Sequence, residues 1–168
     1  MKKYFIVAGE PSGDLHGSKL IKAIKDLNPN SSFMGHGGDS MRNEGMHIIE
    51  HVDSLAIMGF AEELRHLPRM KKIMRNTVGA IERSKPDRVI LIDYPGFNLR
   101  LAKRLSPLKI PITYFILPQA WAWKQRRVEV LKRFIDQSIS IFPFENDWYK
   151  KHGLRVDYFG HPFVDIEH

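Results

Sequence analysis

Short apolar runs alternate along this chain with stretches whose apolar residues recur at helical spacing. The runs at 4–8 and 88–92 are nearly continuous, as expected for strands buried on both faces of a parallel sheet. In residues 15–27 the apolar positions instead recur every three or four residues, as is typical of one face of an amphipathic helix. They are Leu20, Ile21, Ile24 and Leu27. The repeated strand–helix order predicts an α/β fold of the Rossmann-like class, with a doubly wound parallel sheet.

The same pattern gives the limits of each element. Strands are predicted at 4–8, 32–35, 47–50, 88–92, 112–117, 138–142 and 156–159, with a turn at 35–38 after the second strand. Helices are predicted at 15–27, 40–43, 98–105, 126–134 and 147–152. Residues 60–84 also have a helical pattern, but a proline inside a helix removes a hydrogen bond and clashes with the preceding turn. We therefore predict a short helix before Pro68 and a longer one starting there.

Length and composition set the broad class. A chain of 168 residues with 43% hydrophobic and 27% charged residues supports one globular domain, spanning 1–168. The absence of cysteine excludes a thiol nucleophile, a thiolate zinc site and an iron–sulfur cluster. No segment has the roughly 18–20 apolar residues that span a bilayer, and the first apolar run ends at Gly9. We expect a cytoplasmic protein.

The net charge of +7 indicates an anionic partner, which could be nucleic acid, an anionic membrane surface or a phosphorylated ligand. Charge alone does not choose among them. Nucleic-acid binding is the weakest of the three because the chain lacks a helix-turn-helix signature, a zinc motif and an aromatic RNA-binding strand. We expect no nucleic-acid partner.

The loop after the first strand, residues 9–17, is one candidate for ligand binding. In an open parallel sheet, ligands bind beyond the carboxyl ends of the strands, where the strand order reverses. With the order 3-2-1-4-5-6, the first and fourth strands flank that point. Glycines allow close approach of backbone amides and a helix start favours anions, although neither a G-x-G-x-x-G fingerprint nor a P-loop is present. Ser12 and Asp14 could equally cap the helix. The candidate substrate-binding residues here are Gly9, Glu10, Ser12, Gly13 and Asp14.

A carboxylate ends the fourth apolar strand. Asp93 follows Val89–Ile92, so it is expected to face the crevice in a partly desolvated position. Desolvation raises the pKa of a carboxyl group toward the value that a general base needs, and such a base contributes about 10²- to 10⁴-fold to a rate. Alternatively, Asp93 only hydrogen-bonds the next turn, and the residue by itself favours that simpler role. Asn98 in the same segment is a further candidate for substrate binding.

The loop at 117–127 combines aromatic and basic side chains. Its two alternating tryptophans would share one face of an extended segment, although core packing is a common role for such residues. Basic residues at a helix start oppose the helix dipole by about 0.3–1 kcal/mol each, which favours an anionic ligand or lipid surface here. The histidines show no metal-binding pair at i, i+4, so no metal site is predicted. The candidates from this and the two later loops are Gln119, Trp121, Trp123, Arg126, Arg127, Glu145 and His161.

The helical segment at 60–85 is basic on one side and apolar on the other. Such a helix can lie at an anionic lipid interface. The alternative is a core-facing stripe with a solvated basic back, and most such helices are of that kind. The residues predicted to dock at a membrane are Phe60, Leu64, Leu67, Met70, Ile73 and Met74.

Six short motifs occur in the order found in one family. They are Ala-Gly-Glu-Pro-Ser-Gly-Asp at 8–14, Met-Gly-Phe-Ala-Glu at 58–62, Ile-Asp-Tyr-Pro-Gly-Phe-Asn at 92–98, Pro-Gln-Ala-Trp-Ala-Trp at 118–123, Phe-Pro-Phe-Glu at 142–145 and Phe-Gly-His-Pro at 159–162. Together they make the chain resemble the lipid-A-disaccharide synthases, which are inverting glycosyltransferases of Gram-negative lipopolysaccharide biosynthesis. Each motif is weak alone, whereas six in order are specific.

The resemblance implies a GT-B architecture with two Rossmann-like domains facing a cleft. The chain resembles the N-terminal, acceptor-side domain, so the C-terminal nucleotide-sugar domain would have to come from a further segment or a second chain. Alone, the chain is expected to be inactive or nearly so. The implied reaction transfers diacylglucosamine from UDP-2,3-diacylglucosamine to 2,3-diacylglucosamine 1-phosphate, forming lipid A disaccharide 1-phosphate and UDP without a cofactor. Asp93 matches the base of the family, and residues 60–75 match the part linked with docking to the inner membrane.

Two points limit the resemblance. Position 96 is Gly where family members carry an acidic residue, so a second carboxylate is absent from that loop. Pro68 interrupts the segment expected to dock at a membrane. The remaining alternatives are a membrane- or lipid-binding module without catalysis and half of another UDP-sugar transferase or hexosamine epimerase.

Overall fold

The computed structural model describes residues 1–55, 63–118 and 126–160. Within them, seven parallel strands form one sheet in the order β3-β2-β1-β4-β5-β6-β7. The strands are β1 (Lys3–Ala8), β2 (Ser32–Gly37), β3 (His47–His51), β4 (Arg88–Ile92), β5 (Ile112–Phe115), β6 (Gln137–Ser140) and β7 (Asp157–Tyr158). The first six strands have the order 3-2-1-4-5-6 that was considered from the sequence, and β7 extends the sheet beside β6. The strand order reverses between β1 and β4.

Helices connect these strands on both faces of the sheet. They are α1 (Pro11–Leu27), α2 (Asp39–Asn43), α3 (Glu63–Ser84), α4 (Pro95–Leu105), α5 (Arg126–Phe134) and α6 (Pro143–Lys151). Three of them begin three or four residues earlier than the apolar periodicity indicates. In each case the helix starts at a proline, whose fixed φ angle suits the first helical position and whose missing N–H is not needed there. None of the described helices combines the length and apolar character required to cross a bilayer.

The prediction of two helices divided at Pro68 is wrong. α3 runs unbroken through Pro68, which is its sixth residue. A proline there removes one hydrogen bond, to the carbonyl four residues earlier. Burial of Ile73, Met74 and Ile81 against the sheet holds the rest of the helix.

The two faces of the sheet bury separate apolar clusters, because side chains alternate along each strand. On one face, Phe5, Leu91 and Tyr114 pack with side chains of α3, α4, α5 and α6. On the other, Ile6 and Ile90 pack with Ile21 of α1 and Met41 of α2. The continuous apolar runs of β1 and β4 follow from burial on both faces, as predicted.

The predicted turn at 35–38 is also corrected. β2 continues to Gly37, with a register irregularity between Gly35 and His36 in its pairing with β3. Gly35 has a φ of +149°, and a Cβ atom there would overlap the carbonyl oxygen of Ile6 in β1. Gly35 therefore allows β1 and β2 to approach closely, and the chain turns only after β2 ends at Gly37.

His36 makes the stability of the fold sensitive to acid. Its ring is 1% exposed, its Nε2 lies 2.9 Å from Thr77 Oγ1, and burial lowers its pKa from 6.5 to about 4. As the pH falls, His36 therefore takes up a proton in the unfolded chain before it does so in the folded protein. The free energy of unfolding should be greatest above pH 6.5 and should fall by about 3 kcal/mol between pH 6.5 and 4.

We expect His36→Gln, which can still reach Thr77 and does not titrate, to flatten this part of the stability curve. Urea unfolding at several pH values measures it. His47→Gln changes an exposed histidine and is the matched control. An equally steep curve for His36→Gln would show that other groups cause the acid sensitivity.

Candidate active site at the carboxyl edge of the sheet

A cleft of about 410 Å³ opens where the carboxyl ends of β1, β4, β5 and β6 meet. The start of α1, the loops after β4, β5 and β6 and the first turn of α5 form its walls. Its lining residues are Ser12, Gly13, His16, Asp93, Pro95, Ile116, Leu117, Pro118, Arg127, Ile141 and Phe142. The structure thus brings Asp93 together with Ser12 and Gly13 of the first glycine loop, as the strand order predicts.

Asp93 lies in an unusual turn. Asp93 and Tyr94 have φ angles of +46° and +50°, so two consecutive residues other than glycine adopt the left-handed conformation. That conformation is unfavourable by roughly 1–2 kcal/mol per residue, although aspartate tolerates it better than most. The turn sends the chain from β4 directly into α4, whose first residue is Pro95. A carboxylate consequently stands at the edge of the cleft.

Hydrogen bonds to the main chain hold this turn in place. The Asp93 amide donates to the Phe115 carbonyl at 3.0 Å, and the Asp93 carbonyl accepts from Tyr114 Oη at 2.6 Å and from Asn98 Nδ2 at 2.8 Å. The backbone N–H of Asn98 also donates to the Tyr94 carbonyl at 3.0 Å. The strained turn is therefore tied to β5 and to the first turn of α4.

Asn98 supports the loop from beneath and does not line the cleft. It is fully buried, and its Nδ2 also lies 3.3 Å from the carbonyls of Val7 and Ile92. The single amide group thus joins the ends of β1 and β4. The Nδ2 group of Asn98 thus has a structural role, and the binding of substrate by Asn98 stays a prediction.

Gly9 is likewise a support. It is buried, and a Cβ atom at this position would collide with the ring of Tyr94. The absence of a side chain at Gly9 lets the loops after β1 and β4 pack together. Its predicted contact with substrate, through the main chain, stays a prediction.

Asp14 was expected to bind substrate or to cap its own helix, and it caps a neighbouring one instead. Its carboxylate is 7% exposed and accepts hydrogen bonds from the amides of Gly38, Ser40 and Met41 at 2.8, 3.1 and 3.0 Å. These N–H groups belong to the start of α2, which leaves them without helical partners. Asp14 therefore fixes α2 against α1, and both of its carboxylate oxygens accept hydrogen bonds from that helix start.

Burial and nearby charges adjust the acidity of Asp93. Desolvation is the largest effect and raises the pKa of Asp93, and the Glu10 carboxylate raises it further. A hydrogen bond from the Tyr94 amide and the Arg127 guanidinium act in the opposite direction. The net shift is upward, so the predicted direction is confirmed. The half-buried carboxylate is a stronger base than an exposed one.

The remaining candidates differ in their positions. Arg127 lines the cleft, whereas Glu10 and Arg126 are exposed and outside its lining. Glu145 is 1% exposed at the start of α6 and is also outside the lining, and its contact with substrate stays a prediction. Four further candidates, Gln119, Trp121, Trp123 and His161, lie outside the described residues.

Sequence reasoning missed His16. Its ring is 6% exposed, lines the cleft and packs edge-on against Phe115 with 6.3 Å between ring centroids. His16 follows Ser12 by four positions, which places both on one face of α1. That spacing was the available signal. In the part of the chain that the structure describes, no group of three or more histidine or acidic side chains could hold a metal ion.

The predicted membrane-docking face is largely turned inward. Ile73 and Met74 are 6% and 8% exposed and belong to the core, and Met70 packs partly against it, so these three are corrected to core positions. Leu67 is 42% exposed. Phe60 lies outside the described residues, and the side chain of Leu64 is likewise not described.

The fold is shared with sugar-nucleotide enzymes. A UDP-GlcNAc 2-epimerase from Neisseria meningitidis, solved with UDP-GlcNAc, superimposes with a TM-score of 0.68 over 98% of this chain and 47% of its own, at 12% identity. A UDP-GlcNAc 2-epimerase from Methanocaldococcus jannaschii gives a TM-score of 0.59 over 95% of this chain and 45% of its own, at 15% identity. At such identities the likeness shows the fold alone. The chain has a Rossmann-like fold of the GT-B type.

The sequence comparison identifies the family. A profile of the lipid-A-disaccharide synthetases matches residues 4–168, and the chain belongs to this family. The lipid-A-disaccharide synthase of Alkalilimnicola ehrlichii is 41% identical over 160 residues, which are 95% of this chain and 42% of the relative. That of Myxococcus xanthus is 38% identical over 163 residues, covering 97% and 43%. The chain thus spans less than half the length of these relatives.

The strained, partly buried turn predicts different effects for two substitutions of Asp93. Asn tolerates the left-handed conformation and needs no desolvation of a charge, so Asp93→Asn should stabilise the chain at neutral pH. Ala lacks that tolerance, so Asp93→Ala should be less stable than Asp93→Asn by about 1 kcal/mol. Chemical denaturation at pH 7 measures both differences.

The gain from Asp93→Asn should vanish in acid. The pKa of Asp93 is higher in the folded protein than in the unfolded chain. Its charge therefore destabilises the fold fully only above the pKa of the folded state, and this destabilisation disappears below the pKa of the unfolded state. Asp26→Asn, on an exposed part of α1, is the matched control. Equal destabilisation by Asn and Ala at pH 7 would contradict this account of the turn.

Proposed function

We propose that this chain is the acceptor-side part of a lipid-A-disaccharide synthase and that Asp93 is its general base. The observation that carries the proposal is the position of the Asp93 carboxylate at the cleft edge, between the glycine loop after β1 and the loop after β5, and the upward shift of its pKa on burial supports it. Family membership supplies the class of reaction, which is transfer of a glycosyl group. The proposed donor is UDP-2,3-diacylglucosamine and the proposed acceptor is 2,3-diacylglucosamine 1-phosphate.

In the proposed reaction, the 6-hydroxyl of the acceptor attacks the anomeric carbon of the donor. The new C–O bond forms as the bond to UDP breaks, and the hydroxyl proton passes to Asp93. One in-line displacement inverts the configuration, so a single base beside the hydroxyl is sufficient. The raised pKa suits this step because proton transfer becomes more favourable as the pKa of the base approaches neutrality.

Arg127 is the proposed partner of an anionic group in the cleft. Its guanidinium lines the same cleft as Asp93 and is near enough to lower the pKa of that carboxyl group. A cation there could hold the acceptor phosphate or stabilise the charge of the departing diphosphate. The amides of Ser12 and Gly13, at the start of α1, are proposed to face the same ligand. Contacts from Glu10, Arg126, Gln119, Trp121, Trp123 and His161 remain predictions.

We further propose that a second domain completes the nucleotide-sugar site. The chain corresponds to 42% of the length of the relative from Alkalilimnicola ehrlichii. The additional domain, in the same polypeptide or in a second one, would supply most contacts to UDP. On this proposal the 168 residues alone have little or no transferase activity.

A hybrid enzyme tests the role of Asp93. Residues 1–160 of this chain would replace the matching part of the Alkalilimnicola ehrlichii relative, with which the chain shares 41% identity. We expect UDP release that needs both lipid substrates. Asp93→Asn should lower kcat by about 10²- to 10⁴-fold, because it removes the base while preserving the shape of the turn.

Asp87→Asn, an exposed change just before β4, is the matched control and should leave turnover nearly intact. Full turnover by the Asp93→Asn hybrid would exclude Asp93 as the base. A folded hybrid that binds lipid without releasing UDP would favour a lipid-binding module without catalysis. Epimerisation of a UDP-hexosamine without transfer would favour the epimerase alternative.

We also propose that the chain associates peripherally with the cytoplasmic face of the inner membrane. Support comes from the exposed back of α3, which carries Arg69, Lys71, Lys72 and Arg75 close to the half-exposed Leu67. Each basic residue near an anionic surface contributes about 1 kcal/mol of binding. The core positions of Ile73 and Met74 restrict the proposal to an electrostatic contact along this back.

Anionic vesicles test that contact. We expect the chain to sediment with phosphatidylglycerol-containing liposomes at low salt and to be released by salt, as charge-based binding requires. Lys71→Glu combined with Lys72→Glu should weaken binding at least tenfold. Lys2→Glu with Lys22→Glu makes the same change of charge away from α3 and should weaken it less. Equal losses for the two pairs would argue against a contact through α3.

A further inference from the structure

β5 contributes a buried hydroxyl group to the candidate active site. Tyr114 is fully buried and is paired with Leu91 of β4 in the sheet register. From there its Oη reaches past the end of β4 and donates to the Asp93 carbonyl at 2.6 Å. Nothing in the local sequence marks this tyrosine, because it reads as one more apolar residue of a buried strand.

The carbonyl that Tyr114 contacts belongs to the turn that orients the Asp93 carboxylate. Both Asp93 and Tyr94 are left-handed, and the peptide group between them must keep its carbonyl pointing into the protein. Tyr114 and Asn98 are the side chains that donate to that oxygen among the described residues. The side chain of Asn98 also lies within hydrogen-bond distance of the carbonyls of Val7 and Ile92, whereas the Tyr114 hydroxyl donates to the Asp93 carbonyl.

We infer that Tyr114 is a positioning residue for Asp93: its hydroxyl holds the Asp93 carbonyl inward and thereby directs the carboxylate into the cleft. The inference rests on the proposed function of Asp93 as the base. Burial raises the pKa of Tyr114 well above its usual value, so the phenol stays protonated and acts as a hydrogen-bond donor throughout the neutral range. Tyr114 does not line the cleft, and its effect on the reaction passes through Asp93.

Tyr114→Phe tests the inference because it removes only the hydroxyl. In this chain, the carboxyl group of Asp93 would be titrated by carbon-13 NMR. We expect its pKa to fall toward the usual value, since a relaxed turn exposes the carboxylate to water. In the hybrid enzyme, kcat should fall about 10- to 100-fold with little change in the KM for the acceptor, as expected when a reacting group is misplaced by about an ångström. The acid limb of the pH–kcat profile should move in the same direction as the pKa.

Thr113→Val is the matched control. Thr113 precedes Tyr114 on β5, is 5% exposed, and its hydroxyl bonds Arg88 and Gln137 at 2.8 and 3.1 Å on the opposite face of the sheet. This control also removes a buried hydroxyl from the same strand, so it should reduce stability. It should leave the Asp93 pKa and kcat close to those of the unaltered protein.

The outcomes separate this inference from the proposed function. If Tyr114→Phe keeps the Asp93 pKa and kcat while Asp93→Asn abolishes turnover, the positioning role is wrong and the base remains. If Asp93→Asn retains turnover, the proposed base is wrong, and the NMR titration still decides whether Tyr114 orients that carboxylate.

A second measurement applies if Tyr114→Phe does not fold. In the unaltered chain, a hydroxyl proton held on the Asp93 carbonyl should exchange slowly with water and give a proton NMR signal that shifts as Asp93 titrates. A hydroxyl that exchanges rapidly, or whose signal ignores that titration, would overturn the inference.

Discussion

The hydrogen bonds on the Asp93 carbonyl are the constraint on which the candidate active site depends. Two adjacent left-handed residues are unfavourable on their own and persist because the surrounding structure holds them. Here the holding groups are the hydroxyl of Tyr114, from β5, and the amide of Asn98, from α4. The same turn allows Pro95 to start α4 immediately, so the end of β4, the direction of the helix and the placement of the carboxylate are set together.

Features carried by local patterns could be predicted from the sequence. Continuous apolar runs located β1 and β4, and the reversal of strand order placed Asp93 beside the glycine loop. The upward shift in the Asp93 pKa followed from a carboxylate placed at the end of a buried strand. Apolar periodicity predicts helix starts that are three or four residues too late, because it begins only where a helix meets the core, whereas the backbone becomes helical at the preceding proline.

Pairings between distant residues could not be predicted in this way. Asp14 bonds Gly38, which is 24 positions away, and Tyr114 bonds Asp93 over 21 positions. No pattern within a single element records either contact. The apolar face of α3 shows a related limit, because its sequence pattern is the same whether a sheet or a membrane covers that face. Burial of Ile73 and Met74 in the structure resolves that ambiguity in favour of the sheet.

The proposed chemistry depends on opposing influences on one carboxyl group. Burial and the Glu10 carboxylate make Asp93 more basic, while the Tyr94 amide and the Arg127 guanidinium make it less so. An anion bound to Arg127 would offset the positive charge that favours the ionised carboxylate, and binding would also displace water from the cleft. Both changes raise the pKa of a carboxyl group. On the proposed function, a phosphorylated acceptor would then make Asp93 a stronger base as it places its hydroxyl beside that carboxylate, and Arg127 would act on the reaction as well as hold the ligand.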